Sequence, residues 1–248
     1  MHMTAARRVL RYLKKTQDFG INYKPGSRFF GTLSAFTDAD WAGCKLTRKS
    51  MGGYTTFLNG PISWSAKGQS VVATSTLESE YIAASDTTKE VIWLRRLLNS
   101  IGQLPTEAHY GPILKEPEET QNPISTEVKP EDDSPEPVDI DHDESNAPPT
   151  VIHCDNQGAL TFIKTGIVRA KTRHIAVKYQ HCHSENMCTV NFQYVASADN
   201  LADIMTKALP GPKHAELTKR MGVHKASSAA TVDDEKDMDK VFLCSCVI

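Results

Sequence analysis

The chain of 248 residues is 40% hydrophobic and carries a formal charge of −2, which excludes a wholly disordered protein and allows one or two domains around a buried core. No stretch of eighteen apolar residues occurs, and MHMTAARRVLRYLKK lacks an apolar signal core, so neither a membrane span nor secretion is expected. Six cysteines (Cys44, Cys154, Cys182, Cys188, Cys244 and Cys246) form no CxxC pair, which points to reduced thiols in an intracellular protein, cytoplasmic or nuclear.

In chain order, Thr4 to Lys15 sets Ala5, Ala6, Val9, Leu10, Tyr12 and Leu13 among five basic residues and predicts a short basic amphipathic helix. Nucleic acid or a neighbouring domain would suit it equally. Phe29 to Phe36, Gly53 to Leu58, Ile62 to Trp64 and Ser70 to Thr74 read as strands of an antiparallel meander, separated by AsnGlyPro and LysGly turns. Ser75 and Glu78 stand at capping-box spacing and open a long helix through Ile101, with Val91, Leu94, Leu97, Leu98 and Ile101 inward and Gly102 as its stop.

Gln103 to Thr150 holds thirteen acidic residues against two lysines, a local charge of −11, with much Pro and Ser and almost no aromatic residue. Such a stretch buries too little surface to offset its ordering entropy, so residues 103–150 are expected to be a disordered insertion. Glu80 and Asp155 lie 75 residues apart, and without those 48 residues the gap is 27, room for the rest of one helix and one strand. The segment therefore interrupts one domain rather than joining two. With a further −2 on Val223 to Ile248, the rest of the chain carries about +11. That suits a polyanionic partner, with a solvated basic surface as the plain alternative.

Past the insertion, ValIleHisCys at 151–154 predicts a short apolar strand, Asn156 to Thr165 a helix, and Thr172 to Glu185 another. Thr189 to Val195 reads as a strand and Asn200 to Leu209 as a helix stopped by Pro210 and Gly211. HKASSAATVDDEKDMDK reads as a flexible tail, and its final CSCVI misses the prenylation spacing because Cys246 stands third from the end. Meander strands followed by alternating helices and strands make a mixed α/β domain.

Four acidic motifs stand on these elements: FTDADWAG around Asp38, STLESEY around Glu80, HCDNQGAL around Asp155 and DNLADIMTKAL around Asp203. Mg²⁺ is a hard ion that takes carboxylate oxygens and keeps several waters, so carboxylates converging from separate elements suit two-metal phosphodiester hydrolysis. Each residue has a plainer reading. Asp40 shares a strand face with Asp38, and Glu78 is placed to cap its helix, leaving Glu80 one turn in before the small pair Ala83 and Ala84. Asp155 stands where an N-cap is expected, but Asn156 can take that place. Asp203, in a first helical turn, is favoured there by the macrodipole alone.

The run of FTDADWAG, STLESEYIAASDTTKEVIWLRRLL, HCDNQGAL, KTRHI at 171–175 and YVASADNLADIMTKAL resembles the ribonuclease H domain of copia-type retrotransposon Pol polyproteins. AARRVLRYLKKTQDFGINY resembles the piece joining the reverse transcriptase thumb to that domain, and no Tyr-x-Asp-Asp polymerase strand is present. The resemblance implies a thumb remnant at 1–27, a ribonuclease H-like domain at 28–222 interrupted by 103–150, and a tail at 223–248. The implied fold is a five-stranded mixed sheet flanked by helices. The implied reaction is hydrolysis of the RNA strand of an RNA·DNA hybrid, leaving 5′-phosphate and 3′-hydroxyl ends, with a reverse transcriptase domain as a further partner and no small-molecule cofactor. On the family's mechanism, one Mg²⁺ held by Asp38 and Asp155 activates water, and a second held by Asp38, Glu80 and Asp203 stabilises the leaving oxygen, with Mn²⁺ as a substitute. Lys171, Arg173 and His174 are candidates for phosphate contact, and 2′-hydroxyls and duplex shape would select the hybrid.

Cellular ribonucleases H carry a mobile His before the last Asp; Val195 to Asp199 offers none, which bears on turnover. A zinc site at His181, Cys182, His183 and Cys188 is not expected, because His181 and His183 diverge on a helix and no second cysteine pair completes four ligands. Two other classes remain as alternatives. One is a degenerate binding module whose acidic insertion competes for the basic groove. The other is a DDE integrase or transposase, disfavoured because there the final acid is Glu, whereas here Glu is second and Asp last.

Overall fold

The computed structural model describes residues 2–23, 32–104, 147–166, 181–186 and 188–225. Lys171, Arg173 and His174, nearly all of the acidic insertion, most of the helix predicted at 172–185 and the tail beyond Lys225 lie outside them. The described elements run α1 (His2–Thr16), β1 (Phe19–Ile21), β2 (Ser34–Asp40), β3 (Met51–Phe57), β4 (Pro61–Gly68) and α2 (Thr76–Ser100). They continue with β5 (Thr150–Cys154), α3 (Gln157–Thr165), α4 (His181–Ser184), β6 (Val190–Tyr194), α5 (Asp203–Thr206), α6 (Gly211–Arg220) and β7 (Val223–Lys225).

Five strands form one mixed sheet in the order β4-β3-β2-β5-β6. The meander β2-β3-β4 is antiparallel, while β5 joins β2 and β6 joins β5 in parallel. Parallel neighbours β2 and β5 end at the same side of the sheet, which brings Asp38 and the residue after Cys154 together. Successive residues of β2 serve opposite faces. Ala35 belongs to the core under α2 and α3, with Tyr81, Ile82, Ile152 and Phe192. Phe36 belongs to the other core, with Phe57, Leu201, Leu217 and Met221 beneath α5 and α6.

α2 begins as its capping box predicts: Ser75 Oγ accepts from the Glu78 amide at 3.1 Å. The Glu78 carboxylate in turn accepts from the Thr74 amide and hydroxyl at 2.6 and 2.8 Å. Ala83 and Ala84 are buried, and a methyl on Gly52 of β3 would meet Ala83 Cβ at 3.7 Å, so small residues bring helix and sheet close. Arg95, buried on α2, donates to Pro148 O and Thr150 Oγ1 at 2.8 and 3.1 Å and anchors the chain as it re-enters the sheet.

Five expectations change. Leu97 and Ile101, expected inward, are exposed at the C-terminal end of α2, whereas Val91, Leu94 and Leu98 are buried. The first meander strand is described as Ser34–Asp40, running further than the expected Phe36, while Phe29 to Gly31 lie outside the described residues; it is central and nearly all its residues are buried, so it needs no apolar alternation. Ser70 to Thr74 is a connection rather than a strand: Ala73 O accepts from Trp41 Nε1 at 3.0 Å, and the Thr74 amide serves Glu78. The helix predicted over Asn200 to Leu209 shrinks to α5, and Pro210 and Gly211 open α6 instead of ending a helix. Pro at the start of a helix lacks only an amide that would be unpaired anyway. Val223–Lys225, assigned to the tail, forms an antiparallel ladder with β1.

Candidate metal centre

Asp38 lies inside β2, opposite Gly53 of β3, with its side chain on the α5 face. That placement needs close contact with α5. A Cβ on Gly53 would stand 2.7 Å from Met205 Cβ and 2.8 Å from Thr206 Cγ2, so glycine is required for the helix to reach the strand. Asn200, fully buried, ties the two together: its Nδ2 donates to Thr37 O at 3.0 Å, and its Oδ1 accepts from the Ala202 amide at 3.1 Å. Asp203 then opens α5 facing Asp38.

From the other side, Glu80 projects from the second turn of α2. Thr87 of the same helix donates to Thr37 Oγ1 at 2.9 Å, locking α2 to β2 beside Asp38. Asp155 follows β5 directly. Asn156 is the N-cap of α3 and accepts from the Ala159 amide at 2.9 Å, which leaves the Asp155 carboxylate free of capping.

Oxygens of Asp38, Asp155 and Asp203 all lie within 4.8 Å of one another, as do ligand atoms of Glu80, Cys154 and Asp155. The four carboxylates named from the sequence thus converge. The two groups share Asp155, where the resemblance implied Asp38 as the shared ligand. Asp40, half-buried at the end of β2, belongs to neither group. The chemistry of the donors fits a hard divalent ion, and Glu80 Oε2 supports that fit: it is buried with no hydrogen-bond partner, beside further carboxylates.

The electrostatics follow from burial. Glu80 is pushed up to about 9, first by desolvation, then by the charges of Asp38 and Asp155, against opposing effects of Lys207 and the Ala39 amide. Asp38 is likewise raised by burial, partly offset by a hydrogen bond from the Thr206 hydroxyl and by Lys207.

Two lysines that the sequence reading passed over enter the cluster. Lys207 Nζ stands 3.0 Å from Asp38 Oδ1 and 2.7 Å from Asp203 Oδ1, and Lys213 Nζ stands 2.9 Å from Asp203 Oδ2. Burial works against the Lys207 ammonium, but hydrogen bonds and charge from Asp203 and Asp38 hold it above the ordinary lysine value. The spacing Asp203-x-x-x-Lys207, one helical turn, was the available signal. His181 and His183 are spent on Ser85 O at 3.1 Å and Ile163 O at 2.5 Å, and no candidate metal group among the described residues includes them.

Over 226 residues, 90% of its length, the chain is 30% identical to the retrovirus-related Pol polyprotein from transposon RE2 of Arabidopsis thaliana and covers 13% of it. It is 31% identical over 226 residues to the corresponding polyprotein from transposon TNT 1-94 of Nicotiana tabacum, covering 14% of that protein. A shorter stretch of 94 residues is 44% identical to secreted RxLR effector protein 161 of Plasmopara viticola, 65% of which it covers. The chain thus spans about one-seventh of the length of the transposon polyproteins it matches, and this similarity supports a retrotransposon Pol fragment. No family model and no solved structure matches it. No helix of the described residues is long and apolar enough to cross a membrane.

Proposed function

We propose that this chain is a ribonuclease H-like domain of a copia-type retrotransposon Pol polyprotein, hydrolysing the RNA strand of an RNA·DNA hybrid with two Mg²⁺ ions. The observation that carries the reading is the convergence of Asp38, Glu80, Asp155 and Asp203 from β2, α2, the end of β5 and α5, in a site that places Asp155 in both ligand groups. Asp38, Asp155 and Asp203 would hold one ion, and Glu80 with Asp155 the other. Bound there, Mg²⁺ supplies an activated water and neutralises charge on the leaving oxygen.

The chain's own residues prepare that site. Asn200 and Gly53 fix the approach of α5 to β2, so that Asp203 faces Asp38 without adjustment. Burial of Asp38, Glu80 and Asp203 keeps bulk water from three of the four carboxylates and strengthens their attraction for a cation. Lys207 and Lys213 hold the carboxylates in place and offer positive charge to a phosphate at the mouth of the site. Hybrid selectivity by 2′-hydroxyl contact and duplex shape, and phosphate contact by Lys171, Arg173 and His174, belong to the same proposal.

The test is incubation of the purified chain with labelled RNA·DNA hybrid and Mg²⁺, beside duplex DNA, duplex RNA and an Asp38→Asn control. Cleavage of the hybrid alone, lost in the control, is the expected result; binding without cleavage would overturn it. One observation favours that second reading, a binding-only domain: the Lys207 ammonium is paired with both Asp38 and Asp203 and would compete with a metal ion for their oxygens.

A further inference from the structure

The Glu80, Cys154 and Asp155 group differs from the all-carboxylate group in one donor. Cys154 closes β5 with no exposed surface, and its sulfur lies within 4.8 Å of oxygens from both carboxylates. Burial of a cysteine is ordinary in a core, and Ile152 and Leu160 pack in the same cluster. Core packing does not account for the oxygen next to it. Glu80 is 6% exposed, and its Oε2 has no hydrogen-bond partner. A buried carboxyl oxygen without a hydrogen-bond partner, facing a thiol and a second carboxylate, is costly even when the acid keeps its proton, and a cation joining the three groups would satisfy it. Half-buried Asp155 opens the group to solvent.

Mg²⁺ has little use for sulfur, whereas zinc-class ions bind thiolate together with carboxylate, commonly with three protein ligands and a fourth position for water. We propose that Glu80, Cys154 and Asp155 form a binding site for a thiophilic divalent cation, whose occupancy withdraws Asp155 from the hard-ion group formed with Asp38 and Asp203. Binding forms one metal–sulfur bond and releases to water both the Cys154 thiol proton and the proton held by the buried Glu80 carboxyl. The site differs from the His181–Cys188 cluster considered above, which supplies no group of mutually close ligands among the described residues. Only the withdrawal of Asp155 from catalysis rests on the proposed ribonuclease function; the binding site stands without it.

Cd²⁺ is the probe, because thiolate-to-cadmium charge transfer gives an ultraviolet band independent of activity. The full chain is used with Cys44, Cys188, Cys244 and Cys246 changed to serine, since Cys44 and Cys188 are exposed. The expected result is a saturable band with one Cd²⁺ per chain, absent in Cys154→Ala. Glu80→Gln, which keeps the thiol, should weaken Cd²⁺ binding about tenfold or more, since even outer-shell losses reach that size. It carries the test should Cys154→Ala not fold. A band that survives Cys154→Ala with circular dichroism unchanged would assign the sulfur to Cys182 and overturn the proposal, as would Cd²⁺ affinity indifferent to Glu80→Gln. In a parallel hybrid-cleavage assay, Cd²⁺ should suppress the Mg²⁺ rate of the parent. Absence of any Mg²⁺ cleavage would count against the ribonuclease reading, while the band still decides the site.

Discussion

Asp38 and Gly53 face each other across the β2–β3 ladder, and the missing side chain of Gly53 leaves the space that Met205 and Thr206 occupy. The site is thus built on an absence in one strand opposite a carboxylate in the next. Gly53→Ala should push α5 off the sheet, because the nearest atoms belong to Cβ and Cγ2 groups tied to a helix rather than to flexible side-chain ends. A loss of about 1–3 kcal/mol is expected from such overpacking, read as a lower denaturant midpoint, with cleavage falling further because Asp203 moves away from Asp38.

Lys207 joins Asp38 and Asp203. Lys207→Met leaves two buried carboxylates facing each other and should destabilise the metal-free protein by about 1–3 kcal/mol; the lysine side chain is 35% exposed, so the effect falls below that of a wholly buried pair. Saturating Mg²⁺ should restore much of the melting temperature in the variant and raise the parent's by less. Equal Mg²⁺ shifts in both proteins would show that lysine and ion do not compete.

Glu80 sets a pH dependence of unusual sign. Its ordinary value is 4.5 and the folded value about 9, so between the two the folded chain keeps a proton that the unfolded chain has lost. Stability is therefore greatest below the lower value and declines as pH rises toward the upper one. Metal-free Glu80→Gln should lack this contribution and exceed the parent by at least about 1 kcal/mol near pH 9, a difference of roughly 2–4 °C in melting temperature. Coinciding pH profiles for the two proteins would contradict it.

Asp155 and Asn156 separate the proposed metal ligand from the helix cap. Asp155→Asn should abolish cleavage while hybrid binding stays within a few fold and the melting temperature holds or rises, because the capping bond belongs to Asn156. Asn156→Ala should cost about 1 kcal/mol of stability and keep the metal ligand. Unfolding of Asp155→Asn would reverse these assignments.

Three of the four carboxylates stand at boundaries where sequence signals are strong, with a capping box before Glu80, an apolar run before Asp155 and a helix start at Asp203, whereas Asp38 lies inside β2 and was legible from its motif alone. The mixed five-stranded sheet followed from element order together with the family resemblance. The lysines were not legible, since Lys207 in a short polar helix looks like any solvated cation until Asn200 and Gly53 bring that helix to the sheet. Pro210 and Gly211 misled because the same dipeptide can close one helix or open another, and only packing of Leu217 and Met221 against Phe36 and Phe57 decides between them. β1 and β7 are three residues each, too short for periodicity to register.

That small ladder pairs Phe19 with Lys225, so one short segment waits for another far along the chain. Until Val223–Lys225 has emerged, the backbone of Phe19–Ile21 is an open edge, able to accept a strand from another copy as readily as its own. Trimming the chain after Met221 would make that interval permanent, and the cost would appear as self-association rather than as a weaker core.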